Sequence, residues 1–329
     1  MPGHDLIVIG TSAGGLDALQ RLVSDLPVDL PACVCIVQHL AANSPGLLPG
    51  LLSRAGPLPV MACTDGMPLE QGHIVMASPN HHLLVEPGKL RLSRGPKENH
   101  HRPSVDVLFR SAAVAYGPRV VGVILTGRLD DGTAGLLAVK QCGGIAVVQE
   151  PQDALYPSMP QSALRHVVVD ATVPISQLAA LLVTVAHQPA CEEDSTRIPA
   201  LLKHEVQMAA MNNLDLHAGP MSFGTPSVYS CPDCGGVLQE RHEGSLLRFR
   251  CQVGHAFSVE SLLAVQPEVL EQSLWGALKT LREREHLVQR SSDQAQQSGL
   301  LALTKHYTEL LQETQQDISA LEQVLRRGK

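Results

Sequence analysis

Residues 5–27 read DLIVIGTSAGGLDALQRLVSDLP, and no other stretch restricts the possible folds as strongly. Leu6 to Gly10 form an apolar run without polar alternation, which suits a strand covered on both faces. Leu16, Leu19, Leu22 and Val23 then recur at helical spacing. Between the two lies a tight turn of small residues, Thr11-Ser12-Ala13-Gly14-Gly15. A strand–turn–helix of this kind sets a serine hydroxyl beside a helix N-terminus, where free backbone N–H groups point outward. Two uses follow: the turn cradles a ligand phosphate, or the serine attacks a carbonyl carbon.

The remainder of the first 190 residues repeats the alternation. Strands are expected at Leu6–Ile9, Cys33–Gln38, Ile74–Ala77, Val120–Leu125, Ile145–Gln149 and Val167–Val169. Helical patterns lie at Gly15–Leu26, Gly46–Arg54, Val105–Ala115, Gly132–Gln141 and Ile175–Val185. Continuous Val/Ile/Leu runs predict an α/β fold, a doubly wound and mostly parallel sheet with helices on both faces. HLLVEPGKLRLSR, from His82 to Arg94, alternates about a Pro-Gly turn and reads as a β-hairpin. The chain of 329 residues has core enough for one large domain and smaller appendages. The expected division is 1–190 for the α/β domain, 191–228 for a Gly/Pro/Ser-rich linker, 229–259 for a compact Cys/His segment and 260–329 for a helical hairpin. In that hairpin Leu274, Leu278, Leu281 and Val288 share one face, Leu303, Tyr307, Leu310, Leu311, Ile318, Leu321 and Leu325 another, and SSDQAQQSG separates them.

A net charge of −7 argues against a general nucleic-acid binder. The N-terminus lacks a basic region followed by a long apolar one, and no apolar run is long enough to span a bilayer, so a cytoplasmic protein without membrane insertion is expected. Cys33, Cys35, Cys63, Cys142 and Cys191 are scattered, as reduced thiols of such a compartment would be.

The polar residues that end the strands carry the chemistry. The first strand runs into Ser12, CVCIVQ into His39, and VVGVILTG into Arg128-Leu129-Asp130-Asp131-Gly132. In a doubly wound sheet the strand C-termini converge on one edge, so nucleophile, base and carboxylate can meet there. Backbone N–H groups of Ala13 and Gly14 are candidates for an oxyanion hole. GTSAGG is neither GxGxxG nor followed by Gly-Lys-Ser/Thr, and His39 stands where a dinucleotide site needs an acid, so the phosphate reading fails. A serine helix cap and a loop histidine would be the bland reading of either residue alone. His81, His82, His100 and His101 do not make a metal site, because adjacent histidines point apart, and no HExxH occurs.

GTSAGG, IVQHL, RPSVDVLFRSAA, LTGRLDDGTAGL and PSMPQSAL, in this order, resemble the catalytic domain of CheB-type protein-glutamate methylesterases over residues 5 to about 185. The resemblance implies hydrolysis of γ-glutamyl methyl esters on methylated chemoreceptors, with methanol released. It also implies deamidation of receptor glutamines, an active site at Ser12, His39 and Asp131, and no cofactor for catalysis. Asp130 is the local rival of Asp131. Two departures stand out. No receiver domain is expected ahead of residue 5, so the family's phosphorylation switch would be absent in cis. Arg128 stands where the family carries methionine, and pairing with Asp130 or lining the cleft are its two expected roles. These departures keep a catalytically weak CheB-like scaffold as the alternative.

Spacing defines a second site. Cys231-Pro-Asp-Cys234 is a tight knuckle, and Cys251-Gln-Val-Gly-His255 supplies a second. Together they predict a structural Zn²⁺ site of zinc-ribbon type, with His242 as the alternative fourth ligand. A redox CxxC lacks its βαβ context here. Arg241, Arg248 and Arg250 offer a weaker, nucleic-acid reading of the same segment. The helical hairpin is expected either to cap its own domain or to dock a signalling partner.

Overall fold

The computed structural model describes residues 3–191, 198–211 and 223–327. Along the chain come β1 (Leu6–Thr11), α1 (Gly15–Asp25), β2 (Cys33–Gln38), α2 (Leu48–Leu52), β3 (Val60–Ala62) and β4 (Ile74–Met76). A hairpin of β5 (His82–Glu86) and β6 (Lys89–Ser93) follows, then α3 (Val105–Tyr116), β7 (Val120–Ile124), α4 (Thr133–Gln141) and β8 (Ile145–Gln149). The α/β part closes with α5 (Ser158–His166), β9 (Ala171–Val173) and α6 (Ile175–Ala186). Seven strands pair in parallel in the order β3-β4-β2-β1-β7-β8-β9.

Side chains alternate across this sheet and divide the core in two. Leu6, Val8, Cys35, Val37, Ile124 and Val148 pack on one face with Phe109 and Ala112 of α3 and Leu136 of α4. Ile7, Ile9, Val34, Ile36, Val121 and Val123 pack on the other with Leu19 and Leu22 of α1 and Leu178 and Leu182 of α6. Both faces are covered, which is why these strands carry no polar alternation. The expected strand at Val167–Val169 does not form. Val167 N–H still closes α5 on Ala163 O, and Val168 is 84% exposed. Pairing starts only after Asp170, whose carboxylate accepts from Ala146 N–H.

The chain divides into two compact units, Met1–Leu262 and Leu263–Lys329. The first also holds α7 (Ala200–Ala210) and an antiparallel sheet of β10 (Thr225–Ser230), β11 (Val237–Glu243), β12 (Leu246–Cys251) and β13 (Ala256–Ser258). The expected linker falls partly on residues 192–197 and 212–222, outside the described residues, and its described middle is the helix α7. From Val259 the chain continues as α8 (Val259–Gln297), which passes through Pro267, and α9 (Leu301–Arg327). Gly299, at φ 68°, makes the turn between them, so helix persists through most of SSDQAQQSG. In this second unit Leu278, Val288 and Ala295 of α8 and Ile318 of α9 are buried, and Arg282 pairs with Glu322. Among the described residues no helix is long and apolar enough to cross a membrane.

A buried ion cluster joins α3, which covers one face of the parallel sheet, and α7 to the four-stranded antiparallel sheet. Glu98, ahead of α3, and Glu205 of α7 face Arg110 of α3 and Arg248 and Arg250 of β12, all five at most 3% exposed. Arg250 donates to Glu98 Oε1 at 3.1 Å and to Glu205 Oε1 at 2.8 Å, Arg248 donates to Glu205 Oε1 at 3.0 Å, and Arg110 pairs with Glu98. Arg248 and Arg250 are therefore interior ion-pair partners and not a surface patch for phosphates. Burial alone would push Glu98 up, but the three guanidiniums hold its carboxyl down at about 2, from an ordinary 4.5. Its contribution to stability is thus complete above about pH 4.5 and disappears as pH falls through about 2. Removing one carboxylate leaves buried guanidinium charge uncompensated. Glu205→Gln is expected to lower stability by about 3–5 kcal/mol in urea denaturation at pH 7, and a loss below about 1 kcal/mol would contradict the cluster's role.

Candidate active site

Strand order explains how the polar residues meet. β2, β1 and β7 are neighbours, so Ser12, His39 and the loop that follows β7 emerge on one edge, where the order of connection reverses about β1. The turn carrying Ser12 is fastened to the next strand end. Ser12 N–H donates to Thr126 O at 3.0 Å, Thr11 Oγ1 donates to the same oxygen at 2.7 Å, and Thr126 Oγ1 donates to Ala13 O at 3.0 Å. Gln38 Nε2 donates to Ser12 O at 2.8 Å. Gly127 admits no side chain, since a Cβ there would lie 2.0 Å from Met159 Sδ and 3.0 Å from Ser12 Cβ. Gly14 has φ 76°, the left-handed turn from which α1 starts. Among the described residues the N–H groups of Ala13 and Gly14 make no hydrogen bond, whereas Gly15 N–H closes the turn on Ser12 O.

His39 connects the other two groups. Its Nδ1 lies 3.1 Å from Ser12 Oγ and its Nε2 lies 2.7 Å from Asp131 Oδ2. Asp131 is 2% exposed and accepts four further hydrogen bonds: from Val105 N–H at 2.7 Å, Ser104 Oγ at 2.9 Å, Asn99 Nδ2 at 3.1 Å and Asp106 N–H at 3.3 Å. The N-terminus of α3 thus points at this carboxylate. Burial would push Asp131 up, but the bond from His39, the nearby imidazoles and Val105 N–H hold it well below the usual carboxylate range. An acceptor surrounded by donors is ionised, so His39 carries its proton on Nε2 and presents the bare Nδ1 to the serine hydroxyl.

The neighbouring acids have different tasks. Asp106 accepts from Gly132 N–H at 3.0 Å and Gly135 N–H at 2.6 Å and so holds the loop that presents Asp131. Burial and the charge on Asp131 push Asp106 up to about 8. Asp130 turns away from His39 and accepts from Ser258 Oγ at 2.8 Å, and burial pushes it up to about 7. The expected pair of Arg128 with Asp130 does not form. Arg128 is exposed, with its guanidinium 5.1 Å from the centre of the Tyr156 ring. Leu129, at φ 61°, holds the left-handed conformation, which costs a leucine about 1–2 kcal/mol.

The HHRPSVD stretch supplies the rest of the wall. His101 stacks on His39 with ring centres 3.7 Å apart and planes 14° apart. His82 is fully buried between Pro96 O and Ser104 N–H. A cleft of about 390 Å³ opens beside His39, lined by Ala41, Ala42, Asn80, Lys97, His100 and His101. The sequence does not show locally that Ser104, the first turn of α3 and Asn99 hold Asp131. The Ser-Val-Asp that opens α3 was the available signal, a helix-start pattern whose serine donates to Asp131 instead of capping its own helix.

Cys231, Cys234, Cys251 and His255 form a second cluster, whose Sγ and ring nitrogen atoms all lie within 4.8 Å of one another. Cys234 and Cys251 Sγ are 3.7 Å apart, and His255 Nδ1 lies 3.7 Å from Cys231 Sγ and 3.6 Å from Cys251 Sγ. Gly235 N–H to Cys231 O at 2.7 Å and Gly254 N–H to Cys251 O at 3.0 Å close the two knuckles. His242 is exposed at the end of β11 and lies outside the cluster.

The family model described as CheB methylesterase matches residues 7–182. A Leptospira interrogans protein that bears the name protein-glutamate methylesterase/protein-glutamine glutaminase provisionally is 37% identical over 181 residues, 55% of this chain and 94% of that one. A Myxococcus xanthus protein of the same name is 38% identical over 181 residues, 54% of this chain and 52% of its own length. The crystal structure of the Thermotoga maritima CheB methylesterase catalytic domain is similar with a TM-score of 0.53 at 30% identity, covering 56% of this chain and 99% of that one.

Burial lowers His82, and burial with the neighbouring His39 lowers His101, each from 6.5 to about 4. Both are neutral in the folded state, so the stability they contribute is whole above about pH 6.5 and is lost as pH falls through about 4. In ¹⁵N spectra of the imidazoles at pH 5.5 these two rings are expected to remain neutral. A charged His101 at that pH would contradict its packed position against His39.

Proposed function

The chain belongs to the CheB methylesterase family, and on that premise we propose that Ser12, His39 and Asp131 are the nucleophile, the general base and the orienting carboxylate of a protein-glutamate methylesterase. The observation that carries this reading is the unbroken series from Ser12 Oγ through His39 to Asp131, at 3.1 and 2.7 Å. As the Ser12 oxygen attacks the ester carbonyl, Nδ1 of His39 takes the hydroxyl proton and Asp131 stabilises the imidazolium. The carbonyl oxygen becomes an oxyanion, for which the N–H groups of Ala13 and Gly14 are the proposed donors. Collapse of the intermediate expels methoxide, protonated by His39 and released as methanol. Water then repeats the sequence on the glutamyl-serine ester and regenerates Ser12. With a glutamine side chain the leaving group is ammonia, so the same residues would deamidate.

The proposed substrates are methylated chemoreceptors in a chemosensory pathway. A polar cleft beside His39, with Lys97 and His100 on its walls, suits the acidic surroundings of glutamyl esters. Cys33, Cys35, Cys63 and Cys142 are free, buried thiols, which supports a reducing, cytoplasmic setting. No cofactor takes part in these steps.

We further propose that the Cys/His sheet is a zinc ribbon. Zn–S bonds of about 2.3 Å and Zn–N bonds of about 2.0–2.1 Å imply tetrahedral edges of about 3.8 Å between sulfurs and about 3.6 Å between sulfur and nitrogen. The separations of 3.6–3.7 Å fit that shape. Cys231, Cys234, Cys251 and His255 would fill every position, which makes the metal structural rather than catalytic.

Methanol release from a methylated receptor tests the esterase assignment. Ser12→Ala is expected to abolish it. Asp131→Asn is expected to reduce kcat on the order of 10⁴-fold, because the amide would favour the wrong imidazole tautomer. Retention of turnover by Ser12→Ala would overturn the assignment.

A further inference from the structure

The amide of Asn99 lies between the two clusters. Its Nδ2 donates to Asp131 Oδ1 and to Asp106 Oδ2, both at 3.1 Å. Its Oδ1 accepts from Ser258 N–H at 3.0 Å and from Ser261 Oγ at 2.9 Å. A primary amide has two donors and two acceptor sites, so all four are used, two toward the buried carboxylates and two toward the chain that leaves the ribbon. An aspartate there could not donate to Asp131, and a serine could not reach both sides.

The backbone repeats the link. Asn99 N–H donates to Ala256 O at 2.8 Å and Ala256 N–H donates to Lys97 O at 3.3 Å, which adds residues 97–99 to the edge of β13. Ala256 follows His255 directly in the chain. Within the first knuckle, Asp233 lies 3.2 Å from His100 Nδ1, and the next residue, His101, stacks on His39. Asn99 and His100 have φ 50° and 64°, left-handed conformations that these contacts hold in place. Both knuckles therefore grip the segment that backs Asp131 and His39.

We infer that the ribbon is a working part of the esterase: its metal fixes β13, β13 fixes Asn99, and Asn99 is a positioning residue for Asp131, so that loss of the metal lowers turnover. This inference rests on the zinc and Ser12–His39–Asp131 readings above. Asp131 keeps four other donors without Asn99, so the carboxylate stays ionised and its aim is what degrades. Asn99 is 6% exposed and does not itself line the cleft, so the loss is expected chiefly in kcat.

The test uses the whole 329-residue chain as purified, with bound zinc by elemental analysis, melting temperature, and kcat and KM for methanol release. Preparations are compared with an inactive Ser12→Ala control, so that failure of the triad reading is seen separately. Asn99→Gly keeps the left-handed backbone while removing the amide. It is expected to retain about one zinc per chain, to lose roughly tenfold or more in kcat, as befits a hydrogen bond to a charged group, and to keep KM within about twofold. Stripping zinc with a strong chelator, or Cys234→Ser, is expected to bring wild-type kcat down to the same range. Zinc is expected to restore the chelated protein, and stripping Asn99→Gly is expected to add no further loss. Reversible chelation carries the test if Cys234→Ser does not fold. A purified protein without stoichiometric metal would overturn the zinc reading and this inference together. Bound zinc whose removal leaves kcat unchanged, an Asn99→Gly variant with wild-type kcat, or a loss borne by KM would overturn this inference alone.

Discussion

A carboxylate buried at 2% exposure and kept ionised is the demand that shapes the first unit of this protein. Such a group is tolerated only when its hydrogen-bonding capacity is filled. Asp131 fills it from four places: the imidazole after β2, the cap and first turn of α3, and the side chain of Asn99. These donors come from three stretches of backbone. The parallel sheet brings β2, β1 and β7 side by side, Asp106 ties the loop after β7 to α3, and residues 97–99 join the second sheet. The polarity of His39 follows from this arrangement, because an acceptor-only neighbour at Nε2 leaves a bare Nδ1 facing Ser12, as the proposed base must be.

The second sheet is joined to α3 and α7 by charge as well. Two buried glutamates among three buried arginines would be unstable as isolated ions, and the cluster exists because α3, α7, β12 and the segment ahead of α3 bring both signs together. Breaking such a cluster by removing one partner costs more than replacing it whole by apolar residues, because a lone member is left as an uncompensated buried charge. The cluster's arrangement sets β13 against residues 97–99, and hence bears on the carboxylate of Asp131.

Much of this was legible in the sequence where a local pattern and a topological rule agreed. The apolar run before GTSAGG, the helical spacing after it and the polar residues at three strand ends sufficed to bring Ser12, His39 and Asp131 to one sheet edge. The two knuckles were legible from spacing alone. Val167–Val169 was misread because β-branched residues suggest a strand, while α5 ends there and Val168 faces solvent. α7 was missed because it lies between the polar PACEEDST and the Gly/Pro/Ser-rich GPMSFGTPS, although Leu202, Glu205 and Ala209 bury one side of it. Arg248 and Arg250 read as a surface patch because their counterions, Glu98 and Glu205, are far away in the chain. Arg128 read as a partner for Asp130, which instead bonds to Ser258, more than a hundred residues further on. Asn99 was invisible for the same reason: apart from Asp106, its partners come from two distant segments, around Asp131 and at residues 256–261, and no local periodicity marks such a residue.

The proton arrangement on His39 tests the central claim most directly. In ¹⁵N spectra of the ring at a pH where it is neutral, with Ser12 and Asp131 intact, the account predicts a protonated Nε2, bonded to Asp131, and a bare Nδ1 facing Ser12. A proton on Nδ1 instead would leave the serine without a base and would contradict the account.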